Sequence, residues 1–227
     1  MCADNITKGY TSCIKKKCIK NSMLKSVLGY IEKKYYDLHK MFCKIDCIIS
    51  PSEFNKNQLL KGKLKCNDIT VIHNFVNETE KTDYTLGDCA FYFGRLSREK
   101  GILNLVEAIN NIPGARLIIA GDGPERENIQ AYIKEHKLEN RITLLGYLNQ
   151  NDIRENIRKC RFVTVPSICF ENCPYSVLEA MEIGKPIIGS KIGGIPELVK
   201  DDVNGYTYAY DCVDDLTDKL KILFEND

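Results

Sequence analysis

Two glutamates, Glu171 and Glu179, flank the beginning of a predicted helix at residues 175–183. Carboxylates accept paired hydrogen bonds from neighbouring hydroxyl groups, and a helix N-terminus attracts an anionic group such as phosphate. This spacing therefore suits a ligand that carries hydroxyl groups on both sides of a phosphate. Two surface glutamates without a ligand are the alternative, because most glutamates are exposed.

Two cations, Arg95 and Lys100, lie in a glycine-bounded segment that begins at Gly94, directly after a predicted strand. The planar fork of a guanidinium and the point charge of an ammonium together suit a diphosphate, and the helix that follows adds its positive end. A solvated, charged turn is the alternative, since exposed lysine and arginine side chains are common.

Glycine recurs in two further segments that follow predicted strands: Gly121-Asp122-Gly123-Pro124 and Gly193-Gly194-Ile195-Pro196. Glycine allows a tight turn and lets the backbone approach a ligand closely, but both segments could equally be plain turns. The first resembles half of a dinucleotide-binding fingerprint. It lacks the third glycine and the acidic residue that would hold a ribose, so the dinucleotide interpretation is weak.

The elements that must position these residues alternate strictly between strand and helix. Such alternation predicts an α/β fold with a doubly wound, Rossmann-like parallel sheet, whose ligands bind beyond the carboxyl ends of the strands. The predicted strands are residues 90–93, 115–120, 141–144, 162–165 and 186–189, and the predicted helices are residues 102–112, 124–136, 151–159, 175–183 and 213–224. A partial second α/β domain precedes them, with a helix from Leu24, a strand at residues 45–50, a helix at 53–61 and a strand at 69–72.

The composition excludes several classes of protein. Hydrophobic residues make up 44% and charged residues 28% of the 227 residues, which is typical of a globular chain. We expect no membrane-spanning helix, because no apolar run approaches about 18 residues. The first residues lack a secretory signal, and 11 cysteines do not suggest a disulfide framework. These features predict a cytoplasmic protein, with peripheral contact at the inner face of the membrane as an alternative.

The net charge of +1 conceals two unlike parts. Residues 1–65 hold 14 Lys and Arg against 5 Asp and Glu, whereas residues 66–227 hold 18 against 26. The basic helix at residues 25–40 could lie on anionic lipid, but an ordinary packed helix with a solvated face is favoured. No nucleic-acid recognition motif accompanies the basic excess, so we expect no nucleic-acid partner.

Four motifs in this order give the chain a resemblance to a known family. They are Gly94-Arg95-x4-Lys100-Gly101, Gly121-x-Gly123-Pro124, Glu171-x7-Glu179-Ala180-Met181 and Gly193-Gly194-x-Pro196-Glu197. Together they resemble the nucleotide-sugar-binding half of the retaining glycosyltransferases of family 4, which have the two-domain GT-B architecture. Residues 50–54 and 71–76 resemble the end of the N-terminal domain in that family.

The resemblance implies a role for each motif residue. Glu171 would be the catalytic-site carboxylate that binds hydroxyls of the transferred sugar, and Glu179 would bind the ribose hydroxyls. The remaining donor-binding residues would be Gly94, Arg95, Lys100, Cys173, Tyr175 and Ser176. The last three of these would act through main-chain donors. The substrates would be a nucleotide-diphosphate sugar and a glycan or lipid-linked acceptor, and the reaction would need no metal or other cofactor.

The resemblance also predicts the domain organisation. Residues 1–77 would be the remnant of an N-terminal, acceptor-side domain, residues 78–88 a linker, and residues 89–227 the donor-binding domain. We therefore expect a fragment or truncated product with its donor half intact. Two alternatives stay open: a donor-binding remnant without turnover, and a metal-binding module built on Cys2, Cys13 and Cys18, although zinc usually wants a tighter ligand pair.

Overall fold

The computed structural model describes residues 11–62, 64, 66–77 and 86–225. It divides into two compact units, Met1–His73 and Asn74–Asp227, and the predicted α/β class is confirmed. Most of the predicted linker, residues 78–85, lies outside the described residues. The assignment of residues 1–77 to an acceptor-side domain stays a prediction.

Within its described residues, the first unit contains a two-stranded parallel sheet and three α-helices. The helices are α1 (Thr11–Lys15), α2 (Met23–Leu38) and α3 (Glu53–Lys61), and the strands are β1 (Ile48–Ser50) and β2 (Ile69–Val71). A short 3-10 helix, Met41–Lys44, follows α2. Ser52 is the N-cap of α3, because its hydroxyl accepts a hydrogen bond from the Asn55 amide at 3.1 Å.

An apolar stripe on α2 is exposed. Its five side chains recur every three or four residues, as the sequence predicts, but each is between 55% and 79% exposed: Leu24, Leu28, Ile31, Tyr35 and Leu38. The expected packing of this stripe into a core is therefore not seen within the described residues. None of the helices in the described part of the chain is long and apolar enough to cross a bilayer.

The second unit is a six-stranded parallel sheet with helices between its strands. The strands are β3 (Cys89–Phe93), β4 (Arg116–Ala120), β5 (Ile142–Gly146), β6 (Phe162–Val165), β7 (Ile187–Ser190) and β8 (Gly205–Tyr208). The helices are α4 (Ile102–Asn110), α5 (Arg126–Glu135), α6 (Gln150–Lys159), α7 (Tyr175–Ile183), α8 (Ile195–Leu198) and α9 (Val213–Glu225).

The strand order is β5-β4-β3-β6-β7-β8, and all neighbouring strands are parallel. The chain builds outward from β3 on one side and then returns to place β6 on the other side. The loops that follow β3 and β6 therefore diverge at the carboxyl edge of the sheet, which is where doubly wound folds bind ligands. Arg95 and Lys100 lie in the first of these loops and Glu171 in the second.

The core of this unit lies on both faces of the sheet. Side chains of β3 alternate between the faces, as the pleat requires. Ala90 and Tyr92 pack in a cluster with residues of α4, α5 and α9, whereas Cys89 and Phe91 pack in a second cluster with residues of α6, α7 and α8. All four residues of β6 are buried, including the polar Thr164, which agrees with a strand that is covered on both faces.

Strand β8 and the short helix α8 were not predicted. Strand β8 reads Gly205-Tyr206-Thr207-Tyr208, a short edge segment that begins with a glycine and carries one polar residue. It contains no aliphatic residue, so it lacks the apolar run by which the other strands were identified. It is nevertheless the sixth strand of the sheet, and Gly205 pairs with Ile187 of β7 in parallel register.

The buried cysteines should be chemically protected in the folded chain. Burial raises the pKa of Cys89 to about 11 and that of Cys160 to about 12. Because the thiolate is the reactive form, we expect neither thiol to react with a maleimide at pH 8 until the chain unfolds, whereas the exposed Cys47 reacts readily. Peptide mass spectrometry measures this difference. Equal labelling rates for Cys160 and Cys47 in the folded chain would contradict the burial of β6 and α6.

Candidate functional site

The loop after β3 is attached to the loop after β4. The Leu96 amide donates to the Asp122 carbonyl at 2.9 Å, and the Glu125 amide donates back to the Leu96 carbonyl at the same distance. The Leu96 side chain is fully buried, so it anchors the loop in the core beneath. These contacts hold the segment that carries Arg95 against the carboxyl end of β4.

The same loop is attached to the loop after β6. The Ile168 amide donates to the Glu99 carbonyl at 2.9 Å. Gly101 has a φ of +67°, and a Cβ atom there would lie 2.0 Å from the carbonyl oxygen of Pro166. Only glycine satisfies both the left-handed backbone and this close approach. Gly101 therefore allows the segment ending in Lys100 to lie directly on the loop that carries Glu171.

Lys100 and Glu171 form an ion pair across the two loops. The Lys100 Nζ atom lies 2.5 Å from Glu171 Oε1, and the two side chains are 31% and 17% exposed. A charge-assisted hydrogen bond of this kind is stronger than a neutral one, and partial burial reduces its screening by solvent. The structure thus places the lysine that was predicted to bind a diphosphate next to the carboxylate that was predicted to bind a sugar.

Two buried serines hold Glu171 in place, Ser167 directly and Ser190 through Ser167. The Ser167 hydroxyl donates to Glu171 Oε1 at 2.8 Å, and the Ser190 hydroxyl donates to the Ser167 carbonyl at 2.6 Å. Ser167 is 2% exposed and Ser190 is fully buried. Since each serine lies at or just beyond the end of a sheet strand, the contacts link the ends of β6 and β7 to the carboxylate.

The backbone of Glu171 is held by the glycine pair after β7. The Gly194 amide donates to the Glu171 carbonyl at 2.6 Å. Gly193 has a φ of +65°, and a Cβ atom there would lie 2.3 Å from the same carbonyl oxygen. The close approach that the structure shows at Gly193-Gly194 is to the Glu171 backbone, and it fixes the loop that carries this carboxylate. An approach of these glycines to a ligand stays a prediction.

Replacing Gly193 with alanine is expected to destabilise the chain more than the same change at Gly114. Both glycines have positive φ, but a Cβ atom at Gly114 meets nothing within 4 Å. The backbone strain alone costs about 1 kcal/mol, and we expect the overlap at Gly193 to cost about 1–3 kcal/mol more. Urea unfolding of both variants measures the difference. Equal losses of free energy of unfolding would show that the loop carrying Glu171 yields freely.

Helix α7 begins beside this pair of loops. Its N-cap is Pro174, which makes no side-chain capping hydrogen bond. Amides in the first turn of a helix have no intrahelical acceptor, so the N–H groups of Tyr175 and Ser176 are suited to an anion. The Cys173 side chain is 5% exposed, and its carbonyl accepts a hydrogen bond from the Asn74 side chain at 3.0 Å. Tyr175 is 56% exposed.

Glu179 lies one turn into α7 and is paired with α6. The Gln150 side-chain amide donates to Glu179 Oε1 at 2.7 Å. One turn further along each helix, Arg154 and Glu182 form a bidentate pair with distances of 3.3 and 2.8 Å. These two links fix α7 against α6, and the first of them orients the carboxylate of Glu179.

Gly94 and Arg95 lie at the exposed end of β3. The Tyr92 hydroxyl donates to the Arg95 carbonyl at 3.0 Å, whereas the Arg95 side chain is exposed. Burial, and next the negative charge of Glu171, raise the pKa of Tyr92 above its usual value. This phenol therefore remains a hydrogen-bond donor at neutral pH and keeps the Arg95 backbone in place while its guanidinium stays free to meet a ligand.

The two loop cysteines behave as ordinary thiols. Burial raises the pKa of both Cys169 and Cys173, and the charge of Glu171 raises that of Cys169 further. Neither favours the thiolate that a metal would need. Among the described residues, no group of three or more His, Cys, Asp or Glu side chains could hold a metal ion. The alternative built on Cys2, Cys13 and Cys18 stays untested, because Cys2 lies outside the described residues.

The structure brings Lys100 and Glu171 into contact, and it places Glu179 and the first-turn amides of Tyr175 and Ser176 together on α7. Their predicted roles remain predictions. Sequence reasoning missed four polar residues that position this site: Asn74, Gln150, Ser167 and Ser190. Their positions after strands or at a helix start were the only signal, and this is common to many residues without such a role.

Comparison with known proteins finds a family match over the second unit. Residues 77–227 match the family described as glycosyl transferases group 1. An uncharacterized glycosyltransferase of Methanocaldococcus jannaschii is 33% identical over 185 residues, a match that covers 80% of this chain and 50% of that protein. The chain therefore spans about half the length of this curated relative.

Solved structures agree with the sequence match. The apo form of the lipopolysaccharide outer core galactosyltransferase WaaB is 27% identical and aligns with a TM-score of 0.70 over 79% of this chain and 53% of its own. Anabaena HepE in complex with UDP-glucose is 25% identical and aligns with a TM-score of 0.71 over 79% and 54% of the two chains.

Proposed function

This chain belongs to the glycosyl transferases group 1 family, and we propose that its second unit binds a nucleotide-diphosphate sugar at the carboxyl edge of the six-stranded sheet. The observation that carries the proposal is the contact of Lys100 with Glu171 at the divergence of the loops after β3 and β6. A cation for a diphosphate and a carboxylate for sugar hydroxyls thereby lie side by side, next to the start of a helix.

The donor diphosphate would be bound by Arg95, Lys100 and the start of α7. The Arg95 side chain is exposed and its backbone is held by Tyr92, while the Lys100 side chain is partly exposed. Both cations can therefore reach an anion without rearrangement of the core. The first-turn amides of Tyr175 and Ser176 would donate to the phosphate oxygens. The Gly94 backbone allows the diphosphate to approach the end of β3 closely.

The nucleoside would be bound by Glu179 and its neighbours. A carboxylate accepts hydrogen bonds from both vicinal hydroxyls of a ribose, and Gln150 already holds one oxygen of Glu179 in place. The base would lie near Gly146-Tyr147-Leu148, at the carboxyl end of β5, where the Tyr147 side chain is 83% exposed. Main-chain groups would contribute most of the contacts to the base there.

Glu171 would bind hydroxyl groups of the transferred sugar. Ser167 and Lys100 both contact its Oε1 atom, which leaves the second oxygen for ligand hydroxyls. Because Lys100 would also bind the diphosphate, the sugar carbon to be attacked would lie between a cation and a carboxylate. The two charged groups would thus flank the carbon at which charge develops in the transition state.

The reaction would retain configuration, as in family 4. The bond between the sugar C1 atom and the diphosphate oxygen breaks, and its electron pair stays on the diphosphate. Arg95 and Lys100 stabilise this leaving group electrostatically, which is why we propose a reaction without a metal ion. The acceptor hydroxyl oxygen bonds to C1 on the face that the diphosphate leaves, and its proton passes to a diphosphate oxygen.

A hexosyl donor and a glycan or lipid-linked acceptor are the substrates that we propose. UDP-glucose is the first donor to test, because the similar HepE structure is a complex with UDP-glucose. WaaB is a lipopolysaccharide outer core galactosyltransferase, which is a precedent for a glycolipid acceptor. For a lipid-linked acceptor, the basic first unit and the exposed apolar stripe of α2 would suit contact with an anionic membrane.

The test is isothermal titration of the purified chain with UDP-, GDP- and ADP-glucose, followed by assays of donor hydrolysis and transfer. We expect binding of one base in preference to the others, and loss of this binding in Arg95→Ala. If Arg95→Ala and Glu179→Ala both leave binding unchanged, the proposed site is wrong. Donor binding without hydrolysis or transfer would instead favour the alternative of a donor-binding chain without turnover.

A further inference from the structure

We infer that Ser167 is the positioning residue that keeps Glu171 aimed at the donor sugar, and that Ser190 holds Ser167 in place for this purpose. The inference rests on the proposed function and adds two residues to it. Its starting point is the chain of contacts from Ser190 through Ser167 to Glu171, at distances of 2.6 and 2.8 Å.

Ser167 and Lys100 share one oxygen of Glu171, but their roles differ. Both contact Oε1. Lys100 has a second anion to bind when the donor diphosphate arrives, so its hold on Glu171 weakens at the moment when the sugar must be oriented. Ser167 is 2% exposed, and its hydroxyl has no such competing partner in the proposed complex. It therefore holds the carboxylate throughout donor binding.

Burial makes this hydrogen bond effective. A hydroxyl that donates to a carboxylate in a poorly solvated place forms a stronger bond than the same pair in water. Ser190 is fully buried at the end of β7 and donates to the Ser167 carbonyl. This hydrogen bond attaches the Ser167 backbone to the end of β7. Glu171 lies on a loop, but the hydroxyl groups of Ser167 and Ser190 link it to the ends of β6 and β7.

The test separates the sugar from the nucleotide. Binding of UDP and of UDP-glucose is measured by isothermal titration for the wild type, Ser167→Ala and Ser167→Thr. The dissociation constant for UDP divided by that for UDP-glucose reports the contribution of the sugar. We expect Ser167→Ala to change the affinity for UDP by less than about twofold but to lower this ratio by about fivefold, the effect of one hydrogen bond. Ser167→Thr keeps the hydroxyl and should restore the ratio.

Thr217→Ala is the matched control, because it also removes a buried hydroxyl, which donates to the Val213 carbonyl in α9. We expect it to leave the ratio unchanged. An unchanged ratio in Ser167→Ala would overturn the inference while the proposed donor site stands. Equal loss of UDP and UDP-glucose binding would show that Ser167 is only structural, which also overturns it. If the wild type binds neither ligand, both the proposed function and this inference are wrong.

Discussion

Replacement of Lys100 with methionine is expected to weaken UDP binding by roughly 10- to 150-fold, which corresponds to about 1.5–3 kcal/mol for a hydrogen bond to a charged group. Methionine keeps most of the length of the unbranched side chain but removes the cation that would meet the diphosphate. The variant also leaves Glu171 without its ion-pair partner, and this carboxylate would then repel the diphosphate. Isothermal titration with UDP measures the loss.

Two companion variants separate these effects. Lys134→Met removes an exposed lysine from α5 and should bind UDP as the wild type does. The double variant Lys100→Met, Glu171→Gln removes the repulsion together with the cation, so it should recover part of the lost affinity. If Lys100→Met binds UDP as tightly as Lys134→Met does, Lys100 belongs to a structural ion pair and not to a diphosphate site.

Replacement of Glu179 with alanine is expected to weaken UDP binding by on the order of 100-fold or more, since two hydroxyl-to-carboxylate hydrogen bonds contribute about 3 kcal/mol or more. The ribose hydroxyls are the groups that Glu179 would bind. The wild type should therefore discriminate against 2′-deoxy-UDP, and Glu179→Ala should lose that discrimination. Titration of both proteins with UDP and 2′-deoxy-UDP measures the double difference.

Glu139→Ala is the control for this experiment, because Glu139 is exposed just before β5, at the opposite edge of the sheet. It should keep both the affinity and the preference for ribose. The Gln150 link predicts an intermediate case: Gln150→Ala leaves the carboxylate in place but releases its orientation. Discrimination against the deoxy ligand that survives in Glu179→Ala would remove Glu179 from the ribose site.

The fold of the second unit could be predicted because its strands are buried on both faces and read as apolar runs. Phe162–Val165 and Tyr175–Ile183 have the predicted boundaries. Strand Gly205–Tyr208 was not predicted, because its sequence, Gly-Tyr-Thr-Tyr, contains no aliphatic residue. It nevertheless pairs with the neighbouring strand, with Gly205 opposite Ile187. Edge strands have fewer neighbours to satisfy, so their sequences are less constrained.

The site could be predicted only in part. Lys100 and Glu171 are 71 residues apart, and their loops could be expected to meet because alternating strands and helices place both at one edge of a sheet. Ser167 and Gln150 could not be identified in this way, since a hydrogen bond from a lone serine or glutamine depends on where a distant loop or helix comes to lie. Their contacts follow from tertiary packing and leave no periodic pattern in the sequence.

The most direct test of the donor site is an NMR titration of the ¹⁵N-labelled chain with UDP-glucose, followed through its backbone amide signals. We expect the largest shifts at the proposed donor site, at Gly94, Lys100, Glu171, Tyr175 and Ser176. A cavity of about 360 Å³ lies at the other edge of the sheet and is lined by residues that include Gly184, Asn204 and Gly205. Shifts confined to that cavity, or no shifts at saturating ligand, would contradict the account.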